Sequence, residues 1–459
     1  MIKKVVIIGM GFVGAAMSIV ISSSKKNGKK IFKVCGIDKG NHEGSLKLSL
    51  LNKGVFPYKN SDVNIKRSLK KNLNDKSLFF SSKLDELKDA DYVIVSINFD
   101  VSLKKSIQYN YLKEFKKVLN SVSSKINKNC LIIFESTLIP GTSENVILPT
   151  FRKKFKKRGI PLKNLQYSYS FERVMPGNNY FKSIKNYWRV FGSNSELAKK
   201  KTYNFLSSFI NTKKFPLTFM SSITSVELTK VIENTYRALN IAFLDEWTKF
   251  SENLNLNLYE IISAIHKRDT HKNLRYPGLG VGGYCLTKDP LMGKISDKIF
   301  SKNQLSFPLS LLATKINKRM PETSINLIKK FHNIKVKDKV LIAGVSYKNE
   351  IGDTRHTPTK LLYNFFSHKK CNIYLYDPFL SEWKENKNHI NVYNSPPDIK
   401  VDLVILATPH KNFKNFNFSK YVLKNKKLKI FDLNNVVSDK ISQKLKKDKI
   451  FFKTLGKKI

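Results

Sequence analysis

A chain of 459 residues exceeds what one ordinary core organises, so two or three domains are expected, and an apolar share of 41% is that of a globular protein. Four cysteines (Cys35, Cys130, Cys285, Cys371) without a CxxC pair exclude a disulfide framework and point to reduced thiols in a cytoplasmic protein. The formal charge of +48 suggests a polyanionic partner, but Lys25-Lys26, Arg152 to Arg158, Lys199 to Lys201 and Lys444 to Lys447 are interleaved with Asn, Ile, Phe and Ser and form no single stripe. Specific nucleic-acid binding is therefore disfavoured, although such a field would still draw in a phosphate-bearing substrate.

The basic start, Met1 to Lys4, and the uncharged run Val5 to Ser24 have the outline of a signal peptide, but Gly9, Gly11 and Gly14 divide the run into a β-like piece, a turn and a small-residue helix start. Val5 to Gly9 predicts a buried parallel strand, and Phe32 to Ile37, ending at Asp38, completes a βαβ unit. In Gly9-Met10-Gly11-Phe12-Val13-Gly14, Gly9 permits the tight turn, Gly11 lets backbone approach a pyrophosphate, and Gly14 allows close packing of a helix whose N-terminus faces the anion. Asp38 would hold the ribose hydroxyls and repel a 2′-phosphate, which favours NAD over NADP.

Further strands are expected at Tyr92 to Ser96 and Leu131 to Phe134. Thr224 to Leu254, free of Pro and Gly, predicts a long helical spine, and after Lys335 the α/β rhythm resumes with Val340 to Gly344, Ile373 to Asp377, Leu403 to Thr408 and Lys429 to Leu433. The fold class expected is α/β, with two Rossmann-like doubly wound domains joined by a long central helix and boundaries at 1–215, 216–325 and 326–459. No segment reaches the length of a transmembrane helix, so no membrane insertion is expected.

Gly278-Leu279-Gly280-Val281-Gly282-Gly283-Tyr284-Cys285-Leu286-Thr287-Lys288-Asp289 places a cysteine behind a glycine-rich loop and four residues before an acid. Flexible backbone gives a substrate close access there, and Lys288 favours the nucleophilic thiolate. Cys35, Cys130 and Cys371, in or beside apolar strands, fit buried packing. Lys230 and Asn234, four apart, project from one face of the central helix; on a solvated face the pairing would mean nothing, but opposite a thiol-bound substrate it would stabilise oxyanion charge.

The glycine-rich loop, Cys285, Lys288 and Asp289 resemble the signature of the UDP-glucose/GDP-mannose dehydrogenase family, and the resemblance spans nearly the whole chain. Glu135-Ser136-Thr137 with Pro140-Gly141-Thr142, then Glu172-Arg173-Val174-Met175-Pro176-Gly177, then Glu227, Lys230, Asn234 and Glu246, then Lys348 with Asp353-Thr354-Arg355, resemble that family's motifs in order. The resemblance implies NAD as cofactor, held by Gly9, Gly11, Phe12, Val13, Gly14 and Asp38 with Arg355 nearby, and no metal. It implies a UDP-sugar substrate touched by Arg173, Lys230, Asn234, Gly282 and Lys348, and two oxidations that carry a C6 alcohol to the acid. Cys285 would add to the aldehyde as a thiohemiacetal that is oxidised to a thioester. Lys230 and Asn234 would hold the substrate oxygen, Asp289 and Thr137 would order a water or relay its proton, and Glu172 would assist hydrolysis. A homo-oligomer, dimer or higher, and a role in surface polysaccharide synthesis are also implied.

Departures occur at Phe171, where the family has proline, at Ser96-Ile97-Asn98-Phe99-Asp100 in place of Val-Pro-Thr-Pro, at His271 in place of an arginine, and at Asn434 in place of Arg or Trp. Arg268 or Arg275 would compensate for His271, or the sugar differs. Pro176 resembles the branch acting on UDP-N-acetylhexosamines, so UDP-N-acetylglucosamine or UDP-N-acetylmannosamine is expected first, UDP-glucose next and GDP-mannose behind. His410 is expected to be structural. The rivals are a two-electron 3-hydroxyacid or phosphogluconate-type dehydrogenase, which needs no nucleophilic cysteine, and an inactive scaffold that senses nucleotide sugars or binds nucleic acid.

Overall fold

Runs of β-branched and aromatic residues become strands close to where their pattern predicts. The computed structural model describes residues 2–60, 62–98, 101–103, 105–174, 177, 179–385 and 388–458. Among these, β1 (Lys3–Ile8), β2 (Phe32–Ile37), β3 (Leu78–Ser81), β4 (Tyr92–Val95), β5 (Leu131–Phe134), β6 (Gln166–Tyr169), β7 (Val190–Ser193) and β8 (Thr218–Phe219) form one sheet. Its order is β8-β7-β6-β5-β4-β1-β2-β3, parallel except where β6 meets β7. Val5 and Ile7 face one apolar layer and Val6 and Ile8 the other, so helices cover both faces of the strand and it reads as a continuous apolar run. The register ends β1, β2 and β4 together, at Ile8, Ile37 and Val95, which puts their carboxyl ends at the switch in strand order.

β9 (Lys339–Ala343), β10 (Asn372–Tyr376), β11 (Leu403–Leu406), β12 (Lys429–Asp432) and β13 (Phe451–Thr454) form a second, wholly parallel sheet of order β10-β9-β11-β12-β13. Apolar layers again lie on both faces, with Val340, Ile342 and Ile405 on one and Leu341, Ala343 and Val404 on the other. The architecture is the expected mixed α/β one. By compactness the chain divides into a unit of Met1–Glu233 with Leu291–Ser306 and a unit of Asn234–Pro290 with Phe307–Ile459.

Two helices position the residues of interest. α1 (Phe12–Ser22) packs buried small and apolar side chains, Ala15, Ala16, Ile19 and Val20 among them, onto the first sheet. α2 (Ile223–Asn253) is the predicted spine, and with no proline or glycine to break it, it continues for 31 residues. No described helix is long and apolar enough to cross a membrane.

Candidate functional site

In the first unit, Gly9 takes φ +100°, and a Cβ there would lie 2.3 Å from the Ser96 carbonyl oxygen. At Gly14 a Cβ would lie 1.9 Å from the Gly9 carbonyl oxygen, so both glycines are required by the turn itself. Gly11 differs: a Cβ there meets only Asn98 Nδ2, at 3.6 Å. Its bare backbone is thus open to a ligand, and Gly11, at the N-terminus of α1, has no side chain with which to cap the helix that begins at Phe12 and Val13. Asp38, just past β2, accepts from Lys39 N–H at 2.8 Å and pairs with Lys47 Nζ at 3.2 Å, while its side chain keeps 12% exposure. A bare turn, a helix entered through glycine and an acid at the next strand end fit the pyrophosphate and ribose of NAD.

Glu135, Glu172 and Arg189 come together in the same unit, buried, with Arg189 Nη1 donating to Glu135 Oε1 at 2.7 Å and Nη2 to Glu172 Oε2. Burial pushes Glu172 up to about 7 against the pull of Arg189. Lys230 is buried and donates to the Glu172 carbonyl oxygen at 3.2 Å. Arg173 stacks 4.8 Å from the Phe171 ring and pairs with Glu233 at 3.0 Å, so the residue that stands where the family has proline is a platform for the next side chain. Thr137 is partly buried in the loop after β5. Glu227 accepts from Gly141 N–H at 2.7 Å and from both N–H and hydroxyl of Ser143, which ties the Pro140-Gly141-Thr142 turn to α2, and burial raises it to about 7.

In the second unit, α3 (Cys285–Lys288) starts at the candidate nucleophile. Gly282 and Gly283 lie against Tyr347: a Cβ on Gly282 would sit 2.4 Å from Tyr347 Cβ, and Gly283, at φ +76°, donates to the Arg355 carbonyl at 2.8 Å. Cys285 is exposed, whereas Cys35 and Cys130 are buried and burial pushes both thiols up to about 12. Cys371 is only partly buried, contrary to the packing expected of it, because it lies in the turn before β10 rather than in the strand.

Asn234 donates to Asp289 Oδ2 at 2.7 Å, and Lys288 Nζ meets Asp289 Oδ1 at 2.9 Å, all behind the Cys285 loop. Lys288, expected to favour the thiolate, is thereby committed to a fully buried carboxylate. Lys348 and the Cys285 sulfur act on one another, and Arg237 acts on Lys348. Burial, then Arg237, hold the Lys348 ammonium below its ordinary range, with the Cys285 sulfur acting in the opposite sense. Nothing in the helix periodicity singled out Arg237. Arg355 is held by both oxygens of Asp353, at 2.8 and 3.0 Å from Nε, and lies 4.7 Å from the Tyr284 ring, next to the cysteine.

His410 is wholly buried, takes the Glu350 N–H at Nδ1 and faces Asp377 at 3.3 Å, a structural role as expected. Arg268, His271 and Arg275 are exposed, and Glu246 lies on the exposed side of α2. Asn434 approaches Gly278, whose added Cβ would be 3.3 Å from Asn434 Oδ1. Phe99 and Asp100 of the departing loop, and Met175 and Pro176 of the Glu172 motif, lie outside the described residues.

Residues 3–209 match the UDP-glucose/GDP-mannose dehydrogenase family NAD binding domain, 224–319 its central domain and 341–439 its UDP binding domain. The UDP-N-acetyl-D-mannosamine dehydrogenase of Pyrococcus horikoshii is 26% identical over 95% of this chain and 96% of its own. That of Methanococcus vannielii is 26% identical over 96% of this chain and 95% of its own. The solved structure of the Pyrococcus horikoshii UDP-D-ManNAc dehydrogenase superposes with a TM-score of 0.78, at 24% identity, covering 99% of both chains, which is a likeness of fold.

Proposed function

Because this chain belongs to the UDP-glucose/GDP-mannose dehydrogenase family and is an NAD-dependent nucleotide-sugar dehydrogenase, we propose that it oxidises C6 of a UDP-N-acetylhexosamine twice, from alcohol to acid. UDP-N-acetylmannosamine or UDP-N-acetylglucosamine is the substrate, with UDP-glucose as the alternative. The names of the relatives that match over the full length support the first, as does Pro176 in the Glu172 motif. Residues 1–215 carry the cofactor, 216–325 the cysteine loop and 326–459 the UDP moiety.

Bound NAD supplies the hydride acceptor for both oxidations. The turn from Gly9 to Gly14, with Phe12 and Val13, holds its pyrophosphate, Asp38 holds the ribose, and Arg355 stands near it. Cys285 adds its sulfur to the aldehyde carbon, and Lys230 and Asn234 hold the oxygen on which negative charge develops. After the second oxidation that carbon is a thioester. Water then adds while Glu172 takes its proton, Asp289 and Thr137 orient the water, and the C–S bond breaks with its electron pair returning to sulfur. Arg173, Gly282 and Lys348 bind the substrate.

The observation that carries this reading is the exposed thiol of Cys285 in its glycine cradle, while Cys35 and Cys130 are buried and hard to ionise. NADH release assayed with UDP-N-acetylmannosamine, UDP-N-acetylglucosamine and UDP-glucose tests the substrate. Two NADH per acid with an N-acetylhexosamine is expected; turnover of UDP-glucose alone overturns that choice. A homo-oligomer is part of the same proposal, supported by Tyr236, Phe243, Trp247 and Phe250, which leave α2 with exposed apolar side chains along its length.

A further inference from the structure

Three neighbouring strands of the first sheet deliver one buried ionic cluster. Glu135 follows β5, Glu172 lies beyond the end of β6 and Arg189 precedes β7. Side-chain exposures of 1%, 4% and 2% leave little water around them. One guanidinium thus serves two carboxylates, and both of its terminal nitrogens are occupied. Nη1 reaches Glu135 Oε1 at 2.7 Å and the Ser170 carbonyl at 3.4 Å, and Nη2 reaches Glu172 and lies 3.5 Å from Met17 Sδ of α1. From α2, Lys230 adds a hydrogen bond to the Glu172 carbonyl oxygen, and the adjoining Arg173 turns to Glu233 and the Trp188 carbonyl.

We infer that Arg189, anchored by Glu135, is a positioning residue for the hydrolytic half of the reaction: it fixes where the Glu172 carboxyl points and at what pH that carboxyl can accept a proton from water. The inference rests on the role proposed above for Glu172. An arginine cannot lose its proton here, so the negotiable proton belongs to the carboxylates. Burial favours the protonated form of Glu172, Arg189 opposes it, and the Glu135 charge adds to burial, which together leave Glu172 at about 7. A base balanced near the working pH is effective; a freely solvated glutamate would be a weak one. In the step itself the water oxygen bonds to the thioester carbon, Glu172 takes one water proton, and the sulfur leaves with the C–S pair, so no oxidant is needed.

A base works above its pKa, so the acidic limb of thioester hydrolysis follows Glu172. Arg189→Met removes the opposing pull and moves that limb to higher pH, by about one unit or more. Glu135→Gln removes the neighbouring negative charge, keeps an acceptor for Arg189 and moves the limb to lower pH, by roughly half a unit. Arg189→Lys restores a cation and falls between wild type and Arg189→Met. A purely structural role does not produce shifts of opposite sign.

The test uses the full chain with saturating NAD and whichever of the three nucleotide sugars turns over fastest. Acid-quenched samples from pH 5.5 to 9 are read by mass spectrometry for the decay of the Cys285 acyl adduct. In parallel, the infrared carboxyl band of Glu172, taken as wild type minus Glu172→Gln, is titrated in each variant. Limbs and bands that stay at the wild-type pH, or that shift the same way in Arg189→Met and Glu135→Gln, overturn the inference. If Arg189→Met does not fold, the opposed directions of Arg189→Lys and Glu135→Gln carry the decision. Glu172→Gln separates the two levels. Arrested decay there with unmoved limbs in the other variants sinks Arg189 alone, while wild-type decay removes the role of Glu172 and this inference with it.

Discussion

β1 and β9 are each followed by a glycine of positive φ, Gly9 at +100° and Gly344 at +104°. In each case the glycine N–H donates to the end of the neighbouring strand, Gly9 to the Ile37 carbonyl at 2.8 Å and Gly344 to that of Tyr376 at 2.7 Å. In each case a Cβ would strike the backbone after the strand on the other side, the Ser96 oxygen at 2.3 Å and the Thr408 nitrogen at 2.5 Å. The next residue after the neighbouring strand is an aspartate both times, Asp38 and Asp377. Beyond that the regions part. After Gly9 the helix starts within three residues; after Gly344 the chain makes a loop carrying Tyr347, Lys348, Asp353 and Arg355 before α4 (Thr359–His368).

The acid is used differently as a result. Asp38 keeps some exposure, accepting from the Lys39 N–H and pairing with Lys47. Asp377 is buried and accepts from Val345 N–H at 2.9 Å, Ser346 N–H at 2.8 Å and Phe379 N–H at 2.9 Å, with His410 Nε2 at 3.3 Å. Burial pushes its carboxyl up, but His410 and the backbone donors outweigh that and hold it below its ordinary range. One turn leaves its acid partly exposed, and the other has spent it on its own loop. A strand-glycine-acid pattern alone does not distinguish a dinucleotide site from its internally satisfied counterpart.

Asp377→Ala strands at least two buried N–H groups and is expected to cost about 3–5 kcal/mol, lowering the thermal midpoint while NAD affinity per folded molecule stays as it was; a fall in NAD affinity instead would mean that the second turn also serves the dinucleotide. Gly11→Ala is next, at about 2 kcal/mol of NAD binding or some 30-fold in Kd with little change in melting, because its Cβ meets only one side-chain atom. Calorimetric titration with NAD checks it. Asp38→Asn is the smallest, at about 1 kcal/mol, and is expected to narrow the preference for NAD over NADP; an unchanged preference would move ribose recognition elsewhere.

Much of the first region was legible because its chemistry is local: glycines at fixed spacing, a β-branched run before them and an acid ending the next strand. The long helix was legible too, since nothing between Ile223 and Asn253 breaks it. Arg189 was not. Its partners lie 54 and 17 residues away, and one guanidinium among 83 Lys and Arg residues carries no mark of burial in its sequence. Lys288 misled for a related reason: nearness in sequence to Cys285 suggested a thiolate partner, whereas the buried carboxylate of Asp289 claims it. The fate of Asp377 was hidden because it depends on which way a loop fourteen residues long, Val345 to Pro358, turns its N–H groups.

In the proposed reaction the sulfur of residue 285 carries the substrate between the two oxidations. Rapid quench of wild type and Cys285→Ser with NAD and the preferred UDP-sugar, followed by peptide mass spectrometry and quantitation of uronic acid, tests it most directly. An acyl adduct on the Cys285 peptide in wild type and a loss of acid formation of about 10³-fold or more in Cys285→Ser are expected. Undiminished acid from Cys285→Ser, with two NADH per acid, would contradict it.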